Sequence, residues 1–207
     1  MMVFWKQGYF ATSMEHLVAA TGVSRGGIYT DFGGKEALFI ASLEAYRTQI
    51  AGPAIERLLA AEAAPGAGEA PRGFPAIEAY FDYILERLEK YGLPGPGCFC
   101  GNVMAELAAH PSAAQRLVVE HLQTLRQAFL KALEVEARAR RAGLTAPELD
   151  GIAELLTTAS QGLWARARSV SEAADLTGFK NTLMALLRTH FDARTPASPK
   201  RVKGTPS

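Results

Sequence analysis

The sequence has few cysteines, no long apolar run and almost no net charge. Its two cysteines, Cys98 and Cys100, are too few for a disulfide scaffold, which favours a reducing, cytoplasmic location. We find no run of about 18 uncharged apolar residues, so the sequence predicts no membrane span. The start, MMVFWKQGYF, lacks the order of a signal peptide. Because the net charge is only +1, any contact with nucleic acid must come from a local surface.

Motifs that mark catalytic or metal centres are also lacking. Glu106 and His110 are four residues apart, and Glu120 and His121 are adjacent. Neither pair matches the Glu-x-x-His pattern of di-iron bundles. There is no phosphate-binding glycine loop, nucleophile elbow or zinc-ligand spacing. We therefore expect no enzyme activity, no cofactor and no metal site.

Helical signals dominate what is present. No segment alternates for long like a half-buried strand, which predicts an all-α fold. Residues 1–47 form short helical pieces separated by glycines, and a larger helical bundle is expected over 48–191. Pro and Gly mark a loop over 65–75, and 192–207 is expected to be a disordered basic tail. The predicted helices run from about Lys35 to Ala51, where Gly52-Pro53 should interrupt them, and over 76–90, 98–109, 112–142, 147–170 and 172–191.

The segment 12–32 has the signals of two short helices joined by a tight turn. Thr12 and Glu15 have the spacing of a capping box that starts the first helix. Gly22 suits the left-handed conformation of the turn, and Ser24 can cap the second helix. Apolar residues on the inner side should face the core. Two such helices form a helix-turn-helix, whose second helix can enter the major groove of DNA. The expected inner residues are Leu17, Val18, Ile28 and Phe32.

The opposite side of the second helix has chemistry that suits a DNA duplex. Arg25 can reach a base edge or a phosphate. Gly26 and Gly27 remove side-chain bulk, so the backbone can come close to the duplex. Tyr29 and Thr30 carry hydroxyls that can donate to phosphates.

This segment resembles the TetR family of repressors, over the run ATSMEHLVAATGVSRGGIYTDFGGKEALF. The resemblance implies an all-α fold, a recognition helix at about Ser24–Phe32 and homodimers built on the last two long helices. It also implies binding to a palindromic double-stranded DNA operator, and release when a small molecule binds. By motif position it implies DNA contacts at Thr12, Ser13, Arg25, Gly26, Gly27, Tyr29, Thr30 and Lys35.

Two departures from the family pattern leave an alternative open. Only Met1 to Gln7 represents a first helix that is usually fuller, and so short a helix is marginal alone. The charged side chains of residues 1–47 balance to zero net charge, which is low for a DNA-binding module. The alternative is therefore a helical ligand-binding dimer that has lost DNA binding. The balancing side chains are Lys6, Arg25, Lys35 and Arg47 against Glu15, Asp31, Glu36 and Glu44.

The piece GPGCFCGNVMAEL opens a predicted helix with a Gly-Cys turn. It resembles a subgroup of TetR proteins in which some members respond to electrophiles or oxidants. A thiol at a helix N-terminus has its thiolate stabilised, so Cys98 is the candidate sensor. The alternative is that Cys98 and Cys100 are two small side chains that pack at a helix start.

The helices of the larger domain predict an effector pocket and a dimer interface. The apolar and aromatic lining favours an apolar or aromatic small molecule, although such residues also form ordinary cores. His121 and Gln161 are candidate polar contacts. The candidate lining residues are Tyr80, Phe81, Ile84, Phe99, Val103, Met104, Leu125, Phe129 and Trp164. The candidate interface residues are Leu156, Ala159, Leu163, Phe179, Leu183, Leu186 and Leu187.

Overall fold

The computed structural model describes residues 1–59 and 72–196, and these are helical apart from short connections and turns. The all-α fold expected from the sequence is confirmed, and within these ranges no helix has the length and apolarity needed to cross a membrane. Most of the predicted 65–75 loop and the predicted tail beyond residue 196 lie outside the described residues. The helices are α1 (Met2–Gln7), α2 (Met14–Thr21), α3 (Arg25–Phe32), α4 (Lys35–Tyr46), α5 (Gly52–Leu59), α6 (Phe74–Tyr91), α7 (Phe99–Glu106), α8 (Ala113–Arg140), α9 (Ala146–Arg166) and α10 (Ala174–Asp192).

The long helices begin where side chains satisfy their free amides. Ser112 Oγ accepts from the amide of Gln115 at 3.2 Å at the start of α8. Thr145 and Glu148 form a capping box at the start of α9, in which Glu148 Oε2 accepts from the Thr145 amide at 2.8 Å. Such caps stabilise a helix because its first turn has no internal acceptors for those N–H groups.

Helix α8 forms the centre of the bundle. It packs along α9 and also contacts α4, α5, α6 and α7. Phe129 on α8 is fully buried, with its ring centre 4.9 Å from that of Tyr80 and 6.0 Å from that of Phe81 on α6. At the far end of α6, Phe74 packs edge-on against Phe191 of α10 at 4.8 Å. The aromatic side chains of α6 therefore hold α8 and α10 together.

The predicted interruption at Gly52-Pro53 is wrong. A π-helical turn over Arg47–Ala51 joins α4 directly to α5, so the chain stays helical through the proline. Proline inside an α-helix lacks an N–H group and clashes with the carbonyl of the preceding turn. Each hydrogen-bonded turn of a π-helix contains one residue more than a turn of an α-helix. Just before Pro53 this wider turn relaxes both the need for the missing N–H group and the clash with the carbonyl. A Cβ at Gly52 would lie 3.2 Å from the carbonyl oxygen of Arg47, so this position is tight.

Helices α9 and α10 divide the predicted interface residues between the core and the surface. Leu156, Leu163, Leu183 and Leu187 are buried within the chain, so these four interface candidates pack in the protomer's own core and are not accessible to a partner. Leu186 is 64% exposed, and Leu155 of α9 is 55% exposed. Ala159 and Phe179 are half-buried. The residues left for a partner are therefore fewer than the apolar spacing suggested.

Replacing Phe129 by Ala should lower the free energy of unfolding by about 3–5 kcal/mol, because it leaves a cavity between α6 and α8. Urea unfolding followed by circular dichroism measures this change. Phe10→Ala is the matched control, since Phe10 is 57% exposed and its loss should cost much less. Equal losses for the two variants would contradict the placement of Phe129 at the centre of the core.

Candidate DNA-binding surface and effector site

Helix α2 is capped by Ser13, and the predicted cap at Thr12 is wrong. Ser13 Oγ accepts from the amide of His16 at 3.2 Å, and His16 Nδ1 accepts from the amide of Ser13 at 3.3 Å. This is a capping box displaced by one residue. Thr12 is fully buried, and its hydroxyl donates to the carbonyl oxygen of Gly8 at 2.6 Å. The Thr12 side chain is thus placed away from any duplex, contrary to its expected DNA contact.

The turn and the second helix agree with the sequence-based prediction. Gly22 has a φ of 71°, and its amide donates to the carbonyl oxygen of Val18 at 2.9 Å. Ser24 caps α3 by accepting from the amide of Gly27 at 3.1 Å. Ile28 is 2% exposed and is the buried residue of α3. A helix-turn-helix is therefore present, with α3 as its second helix.

The outer side of α3 is open to solvent. Arg25, Gly26, Tyr29 and Thr30 are exposed, and Tyr29 is 50% exposed. Arg25 Nη1 lies 3.8 Å from Glu15 Oε1 in an exposed pair. Exposed pairs of this kind contribute little, so Arg25 can exchange its partner for a phosphate or a base edge. Of the side chains expected to meet DNA, those of Arg25, Tyr29 and Thr30 are therefore accessible on α3.

Phe32, at the end of α3, and Lys35, at the start of α4, differ in exposure from what the sequence predicts. Phe32 was expected in the core but is 44% exposed, because α3 is short and only Ile28 packs inward. Lys35 is half-buried, and its Nζ lies 4.4 Å from the centre of the Tyr9 ring. A cation over an aromatic face is attracted to it, so the Tyr9 ring helps to position the Lys35 ammonium.

The short helix α1 is anchored to the larger bundle. Phe4 and Trp5 are each 1% exposed. Trp5 Nε1 donates to the carbonyl oxygen of Gly97 at 2.9 Å, just before α7. Asn102 Nδ2 donates to the carbonyl oxygen of Trp5 at 3.3 Å. Burial and hydrogen bonding to α7 therefore stabilise a helix that would be marginal alone.

Glu106 at the end of α7 makes the second anchor, which the sequence analysis missed. Its carboxylate accepts from the amide of Tyr9 at 2.9 Å and from the amide of Phe10 at 2.8 Å. Gly8 permits this approach, because its φ is 84° and a Cβ there would lie 2.6 Å from Glu106 Oε2. Glu106 was considered only as a metal ligand, and the one sequence signal for this contact is the glycine directly after α1.

Most of the expected effector-lining residues are core residues. Five of the nine pack against other side chains and line neither of the two cavities described below, and each of these five is at most 1% exposed. Phe99, for example, has its ring 5.8 Å from that of Phe39 and 5.7 Å from that of Tyr46. An aromatic residue that packs with aromatic neighbours leaves no space for a ligand. The five are Phe81, Phe99, Val103, Leu125 and Phe129.

The other four line two cavities of very different size. Tyr80, Ile84 and Trp164 line an inner cavity of about 20 Å³, together with residues of α4, α5 and the π-helical turn. Met104 lines an outer cleft of about 800 Å³ between α1, α7 and α9. Cys98 and Gln161 line both spaces, so they form part of the wall between the inner cavity and the outer cleft.

Cys98 caps α7 with its sulfur. Its Sγ accepts from the amide of Gly101 at 3.4 Å and from the hydroxyl of Tyr46 at 3.5 Å. A hydrogen bond from the Cys100 thiol, followed by those from Tyr46 and Gly101, lowers the pKa of Cys98 to about 7 against the opposing effect of burial. The same contact with Cys98, together with burial, raises the pKa of Cys100. Both thiols are unpaired, and only Cys98 has a substantial thiolate fraction near neutral pH.

His121 and Gln161 are the polar side chains of the inner cavity that were expected to be candidate contacts. His121 is 5% exposed, and burial, with a smaller effect of Arg47, lowers its pKa to about 4. It is therefore a neutral imidazole at pH 7. Gln161 Oε1 is buried and has no hydrogen-bond donor within the part of the chain that the structure describes. A buried acceptor of this kind is costly unless something donates to it.

An exposed helix-turn-helix anchored to a helical bundle defines the class of DNA-binding transcription regulators. Residues 1–42 match the family model described as bacterial regulatory proteins, tetR family. Residues 73–189 match the model described as tetracyclin repressor-like, C-terminal domain. The chain belongs to the TetR family.

Relatives and solved structures agree with this membership. The HTH-type transcriptional repressor ComR of Escherichia coli (strain K12) is 30% identical over 189 residues, which cover 90% of this chain and 84% of ComR. A TetR-family transcriptional regulator from Cytophaga hutchinsonii has a TM-score of 0.74 at 18% identity, covering 90% of this chain and 88% of its own. A cysteine mutant of the regulator CifR, complexed with 26bp double-strand operator DNA, has a TM-score of 0.69 at 17% identity and covers 88% of this chain and 90% of its own. At 18% and 17% identity, the similarity to these two solved structures shows that the fold is shared.

The buried neutral His121 predicts a specific dependence of stability on pH. Because its pKa is lowered from 6.5 to about 4, the unfolded chain binds the proton more tightly than the folded protein. The stability contributed by the neutral imidazole is complete above about pH 6.5 and is lost as the pH falls toward about 4. Between about pH 7 and pH 4.5, His121→Gln should lose about 2 kcal/mol less stability than the wild type.

Urea unfolding at the two pH values measures this difference. His190→Gln replaces an exposed histidine and is the control, so it should follow the wild-type pH dependence. If His121→Gln also followed the wild type, His121 would not be the buried group that titrates.

Proposed function

We propose that this protein is a ligand-responsive repressor that binds a near-palindromic DNA operator as a homodimer through α3. The observation that supports this most is the exposed face of α3, which presents Arg25, Tyr29 and Thr30 on a helix-turn-helix of the matching family. We divide the chain into a DNA-binding module over 1–47 and a sensing and dimerisation module over 48–191. We infer a regulatory, non-catalytic role in the cytoplasm, where two unpaired cysteines stay reduced.

The residues of the module take different roles at the duplex. Arg25 contacts a base edge or phosphate in the major groove. Tyr29 donates to a phosphate. The Thr30 hydroxyl donates to the carbonyl oxygen of Gly26 at 3.0 Å, so it must leave this bond in order to donate to a phosphate as expected from the sequence. Gly26 lets the backbone of α3 approach the duplex. The proposed DNA contacts are completed by Ser13, Gly27 and Lys35, and the buried Thr12 is excluded from them.

The dimer is proposed to form on the outer faces of α9 and α10. These carry the exposed Leu155 and Leu186. A Cβ at Gly178 of α10 would meet no atom within 4 Å, so this position leaves room for a partner helix. A two-fold axis through this face would place the two α3 helices on successive major grooves, about 34–36 Å apart.

The alternative, a ligand-binding dimer without DNA binding, rested on the short first helix. Two of the six residues of this helix, Phe4 and Trp5, are buried. Two hydrogen bonds also connect Trp5 to Gly97 and Asn102, at the start of α7. This anchoring holds the module in place without a longer helix. It favours the repressor over the alternative.

A second proposed activity is the sensing of electrophiles by Cys98. The lowered pKa of this thiol and its position on the wall of the outer cleft favour it. Alkylation of Sγ would place a new group against Tyr46, the last residue of α4, and would displace this helix of the DNA-binding module.

Arg25→Ala should weaken binding to the upstream intergenic DNA by about 10- to 100-fold, because a lost base-edge or phosphate contact costs about 1–3 kcal/mol. Tyr29→Phe removes one hydroxyl and should have a smaller effect. Gel-shift titrations at two salt concentrations measure both. Arg116→Ala removes an exposed cation from α8 and is the control. An equal effect of Arg116→Ala and Arg25→Ala would point to general electrostatics instead of α3.

The rate of Cys98 alkylation by iodoacetamide should rise with pH to half its maximum at about pH 7. Tyr46→Phe removes a donor to Sγ and should move this midpoint upward. Tyr83→Phe is the control, because the Tyr83 hydroxyl donates to the carbonyl oxygen of Ile50. Mass spectrometry locates the label, and a label on Cys100 instead of Cys98 would contradict the assignment.

A further inference from the structure

We propose that the outer cleft between α1, α7 and α9 is the effector site, and that its ligand is a small aromatic molecule with one hydrogen-bond donor and one anionic group. This inference rests on the proposed ligand-released repression and adds the location and the chemical class of the ligand. It differs from the sequence-based expectation, which placed the effector among residues that are packed in the core.

The sizes of the two cavities favour the cleft. The inner cavity, at about 20 Å³, holds about one water molecule. The outer cleft, at about 800 Å³, lies within the range of about 300–1,000 Å³ that is usual for small-molecule sites. Its walls include Trp5, Met104 and Ala165, and their apolar surface suits an aromatic ring.

The unpaired side-chain oxygen of Gln161 is the reason why we expect a hydrogen-bond donor on the ligand. Its Oε1 is buried without a donor, and Gln161 and Gly101 both line the cleft. A Cβ at Gly101 would lie 2.9 Å from this oxygen, so the glycine allows the Gln161 amide to pack against α7 at the wall of the cleft. A ligand N–H or O–H group at this point would satisfy the oxygen, and a ligand without a donor would leave it unpaired.

The charges of the cleft supply the reason for an anion. Lys6 and Arg168 line it, and Lys6 is exposed without an acidic partner among the described residues. Arg168 Nη1 donates to Asn102 Oδ1 at 2.6 Å, and this neutral partner leaves its charge uncompensated. Glu106 also lines the cleft, and its bonds to the neutral amides of Tyr9 and Phe10 do not cancel its charge. Two cations against one carboxylate still leave the lining with a net positive charge.

The position of the cleft connects its occupancy to DNA binding. One wall is formed by Trp5, Lys6, Gln7 and Gly8 of the DNA-binding module, and the opposite wall by α9 of the proposed dimer interface. A ligand between these walls changes the separation of α1 and α9. Because the two α3 helices must match successive major grooves, such a change alters the fit of the dimer to its operator.

The test uses two probes on the full-length protein. Indole-3-acetate has an aromatic ring, an N–H donor and a carboxylate, and in 1-methylindole-3-acetate a methyl group replaces the hydrogen of that donor. By isothermal titration calorimetry, we expect the first to bind the wild type about tenfold more tightly, as expected for one hydrogen bond to a buried acceptor. Gln161→Leu should bind both probes with the same affinity.

A pair of glycine variants on α9 tests the location. Gly162 lines the cleft and Gly151 does not, and a Cβ at either position meets no atom within 4 Å. Gly162→Leu should fill the cleft and weaken the binding of indole-3-acetate at least tenfold. Gly151→Leu should bind it as the wild type does. Light scattering on both variants checks that the oligomeric state is the same.

The outcomes separate this proposal from the proposed function. If the wild type does not bind its upstream DNA in a gel shift, the repressor function is wrong, whatever the probes do. If it binds DNA, the cleft proposal is overturned by any of three results: no binding of either probe, equal binding of the two probes to the wild type, or unchanged binding to Gly162→Leu.

Discussion

The arrangement of this protein depends on the contacts that α1 and the residues after it make with both ends of α7. The Trp5 indole donates to Gly97, and the Glu106 carboxylate holds the amides that follow α1. These bonds join the two modules without using any residue of α3, so they fix the orientation of the DNA-binding face without occupying it. Because hydrogen bonds have directional geometry, the module cannot rotate on the bundle without breaking them.

The sequence was sufficient for the fold class and for the helix-turn-helix. The Ser24 cap, the glycine turn at Gly22 and the inward position of Ile28 were predicted and are confirmed. It was not sufficient to choose between Thr12 and Ser13 as the cap of α2, because both carry a hydroxyl and only tertiary packing decides which is buried. Phe32 was misplaced for the same reason, since the periodicity of a short helix does not show how much of it the core covers.

The effector residues were harder to predict because a core and a ligand pocket use the same side chains. Phe81 and Phe129 fill the space that a cavity would need. The informative residues are instead polar ones in apolar surroundings, namely His121, Gln161 and Cys98. Burial keeps His121 neutral and leaves Gln161 Oε1 without a donor, whereas its hydrogen-bond donors make Cys98 more acidic. No sequence pattern encodes these environments, because residues from several helices create each of them.

The π-helical turn over Arg47–Ala51 has a consequence for how this fold can vary between relatives. The turn contains one residue more than an α-helical turn, within the continuous helix of α4 and α5 that links the two modules. Each residue advances an α-helix by about 100° around its axis, so losing one residue from a regular helix there would turn the DNA-binding face away from its setting on the bundle. The wider turn can absorb such a deletion by tightening into an α-helical one. Chains that differ by one residue in this stretch can therefore keep the same orientation of the two modules.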